Sequence, residues 1–204
     1  MKVWAEIPAG PDRAPRAGTL RRCDLEAFDA LLARLEGHRA VLLLGEPTRK
    51  RTVAVGLATA AAAAGTRAAL VECDLVEPNL AETLGLALAP GLHEYIRGEA
   101  DADRILAPLV LAGPGAATAD GPLVCVVAGR PASDGAALLG SERFRHAMAK
   151  LRNAYELVVL DGPSWSGPAA LAVAAEADAT LACVGRDDPP PRLDLPLAGL
   201  VVQD

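Results

Sequence analysis

The residues with the clearest chemical potential lie in one octapeptide, Gly45-Glu46-Pro47-Thr48-Arg49-Lys50-Arg51-Thr52, between an apolar run and an Ala-rich stretch. A loop that binds a polyphosphate needs glycines, so that backbone N–H groups can face the phosphates. It also needs a lysine to reach the β and γ oxygens, and a Ser or Thr directly after that lysine to hold Mg²⁺. Lys50 and an expected helix N-terminus are in place. Arg49, however, stands where the glycine before the lysine belongs, and adds a Cβ where such a loop needs a positive φ or close phosphate approach. Arg51 stands at the Mg²⁺-ligand position. Thr52 is one residue too late, its hydroxyl turned by about 100° on a helix. Residues 45–52 are therefore candidates for a phosphate or nucleotide site, with ATP or ADP held weakly and with little gain from Mg²⁺.

Two acids leave other apolar runs in a way that fits the same site. Val71-Glu72-Cys73-Asp74 and Leu160-Asp161-Gly162-Pro163 each place an aspartate just at a strand end. In a nucleotide-hydrolysing or phosphoryl-transfer site, one such acid activates the attacking group and the other holds the Mg²⁺ shell. Asp74 and Asp161 are accordingly the candidate catalytic residues and the candidates for a metal, though no metal site is assigned. Either acid alone is equally well read as a cap on the next turn or helix. Lys50, Asp74 and Asp161 are expected to converge, with contacts to the arginines lowering the pKa values of both acids.

The elements that must position these residues are legible from hydrophobic patterning. Six short apolar runs, 40–44, 68–72, 123–128, 156–160, 180–184 and 197–202, read as buried strands. Between them lie helical stretches at 50–64, 141–153 and 169–177, with shorter helices within 79–107. Strands apolar throughout and alternating with helices predict an α/β fold: a mostly parallel sheet with helices on both faces, in three layers. Right-handed crossovers then bring functional residues to the carboxyl ends of the strands. Leu25, Phe28, Leu31, Leu32 and Leu35 form a helical stripe, with Asp24 as N-cap and Gly37 as stop. Residues 1–19, rich in Pro, Gly, Arg and Ala, read as a flexible arm, and 20–204 as one domain. Residues 112–122 and 187–191 read as loops.

Composition excludes several classes of function. The 204 residues carry a net charge of −6, which argues against a nucleic-acid partner bound through phosphate neutralisation. No run is long and apolar enough to span a bilayer, and no secretory signal precedes the domain. Cys23, Cys73, Cys125 and Cys183 lie far apart without metal-ligand spacing, as expected of buried thiols in a reducing cytoplasm.

Several motifs together resemble the P-loop domain of bacterial tyrosine kinases of capsule and exopolysaccharide synthesis, within the deviant Walker class shared with division and partition ATPases. Residues 45–52 stand at the Walker A position. Val71-Glu72-Cys73-Asp74-Leu75 is similar to the second aspartate motif, with Glu72 replacing its usual first Asp. Leu157-Val158-Val159-Leu160-Asp161-Gly162-Pro163 is similar to the Walker B strand. Ala137-Leu138-Leu139-Gly140-Ser141-Glu142-Arg143-Phe144 resembles the tyrosine kinases rather than their partition relatives, and Pro90-Gly91-Leu92 with Tyr95-Ile96-Arg97-Gly98-Glu99 resembles the family's next segment.

The resemblance implies a P-loop kinase-like domain at 20–204, with a membrane polysaccharide co-polymerase or another export component as partner. It also implies a cytoplasmic location, peripheral at the membrane through that partner, and homo-oligomers as in the family. The departures matter equally. Arg49-Lys50-Arg51 replaces Gly-Lys-Ser/Thr, and Val76 and Glu77 stand where the family tends to have arginines. Asp29 and Leu32 replace spaced arginines of its first helix, which leads to an expected monomer or small oligomer docking through the arm and this helix. Tyr95 and Tyr155 are the only tyrosines, and no tyrosine-rich tail is present in the sequence. Three functions follow: a catalytically impaired regulatory or scaffold subunit, an active ATP-dependent tyrosine autokinase, and a partition- or division-type ATPase relative.

Overall fold

Each of the six apolar runs forms a strand of one sheet, and the strand order sets where their ends meet. The computed structural model describes residues 2–7, 19–21, 26–112, 123–163, 165–188 and 194–203. The first elements are β1 (Val3–Ile7), β2 (Thr19–Arg21), α1 (Glu26–Arg34), β3 (Ala40–Gly45), α2 (Pro47–Ala63) and β4 (Ala68–Glu72). Next come α3 (Leu80–Leu84), α4 (Leu92–Arg97), α5 (Ala102–Ile105), β5 (Ala107–Pro108), β6 (Val110–Ala112) and β7 (Leu123–Val126). The last are α6 (Gly135–Leu139), α7 (Glu142–Ala154), β8 (Leu157–Asp161), α8 (Pro168–Ala174), β9 (Ala179–Gly185) and β10 (Gly199–Gln203).

The main sheet runs β1-β10-β9-β3-β8-β4-β7-β5, and β2 pairs with β6 apart from it. All pairings in the main sheet are parallel except that of β5 with β7. Alternation along β3 shows how both faces are filled. Val41 and Leu43 pack with Phe28, Leu31, Val53, Leu57 and Leu70 under α1 and α2. Ala40, Leu42 and Leu44 point the other way, toward Phe144, Met148 and Val173 of α7 and α8. The fold is a three-layer α/β/α sandwich with β3 at its centre. Gly56 explains the close approach of α1 to α2, since a Cβ there would lie 2.1 Å from the Phe28 ring.

The amino-terminal expectation needs correction. Val3–Ile7 is an edge strand parallel to β10, with Ala5 and Ile7 buried. Its period-two alternation is the physical reason, and the surrounding Pro and Gly concealed it. Residues 8–18, Asp24, Leu25 and Cys23 lie outside the described residues, as do 113–122 and 189–193 of the two expected loops. The stripe of α1 packs on the domain itself: Phe28, Leu31 and Leu35 are buried, and Arg34 donates to the Val3 carbonyl at 2.8 Å. β7 stops at Val126, because the carbonyls of Val127 and Ala128 instead accept the N–H groups of Leu92 and His93, both at 2.8 Å.

Candidate functional site

The site begins where β3 passes into α2. Gly45 ends the strand and Pro47 opens the helix, so Glu46 alone separates them. Proline at the first helical position is favoured, since its missing N–H would be unpaired there in any case. Glu46 is the N-cap: its carboxylate accepts the N–H groups of Thr48 at 3.2 Å and Arg49 at 3.1 Å. Its carbonyl accepts the N–H of Lys50 at 3.0 Å. Residues 47–52 are thus helical, and no phosphate-wrapping loop separates strand from helix. Only four residues lie between Gly45 and Lys50. The loop pattern that binds polyphosphates places five between its first glycine and its lysine.

Lys50 is fully buried, and its ammonium is already satisfied. Nζ donates to Asp161 Oδ1 at 2.9 Å and to the Gly162 carbonyl, and lies 3.8 Å from Asp74 Oδ2. The parallel register of β3, β8 and β4 produces this meeting, because it ends the strands together at Asp161 and just before Asp74. Arg51 Nε sits 3.7 Å from Asp161 Oδ2, and both atoms are buried without a hydrogen-bond partner. Burial pushes the Asp161 carboxyl up from its ordinary value, against the opposing pull of Lys50 and Arg51. That reverses the expected lowering. Desolvation of a carboxylate with no exposed surface outweighs its cationic neighbours.

The remaining residues of the octapeptide turn elsewhere. Arg49 pairs with Asp188 at 2.8 Å on the surface, and not with Asp74 or Asp161; Asp188 also accepts the Gly185 N–H at 2.7 Å. Arg49 is helical, so the strain expected of a non-glycine residue there does not arise: among the described residues, positive φ is confined to glycines. Thr52 donates to the Thr48 carbonyl one turn back at 2.8 Å, away from the acids. Asp74 Oδ1 accepts the Glu77 N–H at 3.1 Å.

Glu72 has a role the sequence did not disclose. Its Oε1 accepts from Asn79 and Leu80 at 2.6 and 2.7 Å, and its Oε2 from Ala128 at 3.0 Å. Through these bonds it anchors the segment carrying Asp74. Burial raises its pKa against those three donors. The cap at Glu46 could have been found from its place directly before Pro47. Asp188 carried no signal, since only the sheet order brings β9 beside β3. Ser141 of the Leu-Leu-Gly-Ser-Glu-Arg stretch caps α7, accepting the Phe144 N–H at 3.2 Å. Cys73, Cys125 and Cys183 are free, buried thiols, as expected.

As arranged, these residues do not fit a Mg·nucleotide. The lysine is bonded to the protein's own carboxylate and carbonyl, the helix N-terminus is covered by Glu46, and a guanidinium occupies the metal-ligand position. Among the described residues, no group of three or more His, Cys, Asp or Glu side chains could hold a metal ion.

No protein-family model matches the chain. No curated protein matches it either. Solved structures do. The BceF tyrosine kinase domain aligns at a TM-score of 0.77 and 17% identity, over 98% of this chain and 92% of that one. The kinase domain of the Escherichia coli tyrosine kinase ETK aligns at 0.76 and 16%, over 99% and 89%. The septum site-determining protein MinD of Pyrococcus horikoshii, complexed with Mg-ADP, aligns at 0.60 and 16%, over 81% and 82%. At these identities the likeness is one of fold: the chain has the three-layer α/β/α architecture seen in the BceF and ETK tyrosine kinase domains and in MinD.

Proposed function

From the fold it shares with bacterial tyrosine kinase domains, we propose that the chain is a catalytically impaired, kinase-like regulatory or scaffold subunit of capsular or exopolysaccharide synthesis and export. The observation that carries this reading is the closure of Lys50 onto Asp161 and Gly162. A lysine so held cannot neutralise a transferring phosphoryl group, and phosphoryl transfer depends almost wholly on positioning and electrostatics. Asp74 and Asp161, the acids that would act in an active relative, serve here as counter-ions to Lys50. Among the described residues no helix is long and apolar enough to cross a membrane. In this reading the chain works at the cytoplasmic face through a membrane polysaccharide co-polymerase or a similar export component, as a monomer or small oligomer.

Titration of the purified protein with ATP and ADP, with and without Mg²⁺, tests the impairment. Weak binding with no gain from Mg²⁺ is expected, together with no transfer of label from γ-labelled ATP. Tight, Mg²⁺-strengthened ATP binding would overturn the reading in favour of an active tyrosine autokinase, for which the convergence of Lys50, Asp74 and Asp161 is the supporting observation. Co-purification with the co-polymerase's cytoplasmic segment tests the partner.

A further inference from the structure

We propose that the face formed by α7 and the turn from α4 into α5 pairs two copies of this chain about a two-fold axis. None of its residues belongs to the candidate site, so the pairing stands or falls independently of the function proposed above.

The chain carries a net charge of −6, yet α7 is a cationic island on it. Buried Phe144, Ala147 and Met148 hold one side of this helix against the sheet. Arg143, Arg145, His146 and Lys150 are exposed on the rest, with Glu142 as the one acid of the helix. Arg143, His146 and Lys150 follow one another at steps of three and four residues, which sets them in a row. That row lies beside α4: Arg143 donates to the Ile96 carbonyl and Lys150 to the Tyr95 hydroxyl, both at 3.4 Å. Gly98 makes room for the first contact, since a Cβ there would collide with the Arg143 guanidinium.

An acidic stretch follows Gly98 at once, with Glu99, Asp101 and Asp103 exposed and Arg104 as the one cation among them. The ion pairs near this face bypass both groups. Arg97 is taken up by Asp134 and Arg152 by Asp178, while Arg145 reaches Glu142 at 4.0 Å. Among the described residues, Arg143, Lys150, Glu99, Asp101 and Asp103 enter no ion pair. With Arg152 set aside, α7 bears a net of two positive charges and residues 99–104 a net of two negative. A uniformly anionic partner, such as a lipid surface, would meet the acidic stretch as well as the row. A second copy meets each with its opposite. In an isologous contact the row of either copy faces the acidic stretch of the other, and both halves attract.

Exposed ion pairs are individually weak and are screened by salt, so the dimer should depend on ionic strength. Analytical ultracentrifugation of the full chain should show a dimer at about 0.01 M salt, where charges act over about 30 Å, and a monomer at about 1 M. Two variants reverse the halves separately: Arg143→Glu with Lys150→Glu, and Glu99→Lys with Asp101→Lys. Circular dichroism confirms the fold of each. Either variant alone should dimerise about tenfold more weakly than the unaltered protein, or worse, because like charges then face each other. Mixed in equal amounts, the two should form a heterodimer, since both halves of the contact attract again. A protein monomeric at low salt would overturn the pairing; if it also sediments with phosphatidylserine vesicles, the face is a lipid-binding one instead. A dimer retained at full strength by either folded variant, or a mixture that stays monomeric, would overturn it too.

Discussion

Glu72 Oε2 accepts the Ala128 N–H at 3.0 Å, so one buried carboxylate ties the end of β4 to the chain leaving β7. Its other oxygen takes the N–H groups of Asn79 and Leu80, fixing the turn that carries Asp74. Removing a partner from buried donors costs their full desolvation, roughly 1–3 kcal/mol each. Glu72→Ala should therefore lose about 3 kcal/mol or more in urea unfolding. Glu72→Gln should lose less, since it keeps one acceptor oxygen.

Lys50 should behave as a structural residue. Breaking a buried ion pair by removing one partner costs about 3–5 kcal/mol, because the other charge is left unpaired. Lys50→Met is expected to destabilise the fold by that order, and Lys50→Met combined with Asp161→Asn to recover much of the loss. A double-mutant cycle from denaturant unfolding measures the coupling. A cycle with no coupling would show that the pair contributes nothing.

The acid limb of stability should depend on Asp178. Burial alone would raise its pKa, but the Arg152 guanidinium and the N–H groups of Ala40 and Arg39 prevail and hold the carboxyl below its ordinary value. A group so depressed contributes stability that is present above the unfolded value of about 4 and lost as pH falls through the folded value. Asp178→Asn should flatten the profile below about pH 4 and cost about 1 kcal/mol at neutral pH. Glu94 is also lowered: the Gly91 and Arg130 N–H groups outweigh its burial, so part of the slope should remain. Asp161 and Glu72, raised by burial, act with the opposite sign, and their contribution declines as pH rises above about 4.

The edge strand supplies a further test. Ile7 is 3% exposed in β1, beyond β10. Ile7→Ala should cost about 2–4 kcal/mol, as in other buried positions. An unordered arm would tolerate the change without effect.

The sheet was readable because its strands are buried on both faces and announce themselves as uninterrupted apolar runs. β1 was not, since five residues of half-exposed alternation among Pro and Gly carry too little signal. In the site, the meeting of Lys50 with both acids followed from strand ends alone. What the side chains do there did not follow. Whether Arg51 approaches Asp161, whether Arg49 turns to Asp188, and which donors Glu72 takes all depend on distances across elements far apart in sequence. The sign of the Asp161 shift was misread for the same reason: partners are visible in a sequence, whereas complete desolvation is not.

The single residue between β3 and α2 has a consequence for timing. A switch of the P-loop kind has a segment that γ-phosphate holds in one shape and hydrolysis releases, so each binding event ends on a chemical clock. Strand passing directly into helix at Glu46 leaves no such segment at this junction. Under the function proposed above, an association built on this edge ends when the partners come apart, its lifetime set by a dissociation rate. Control would then pass from turnover to supply: how many copies are made, how quickly they are degraded, and how many partners compete for them.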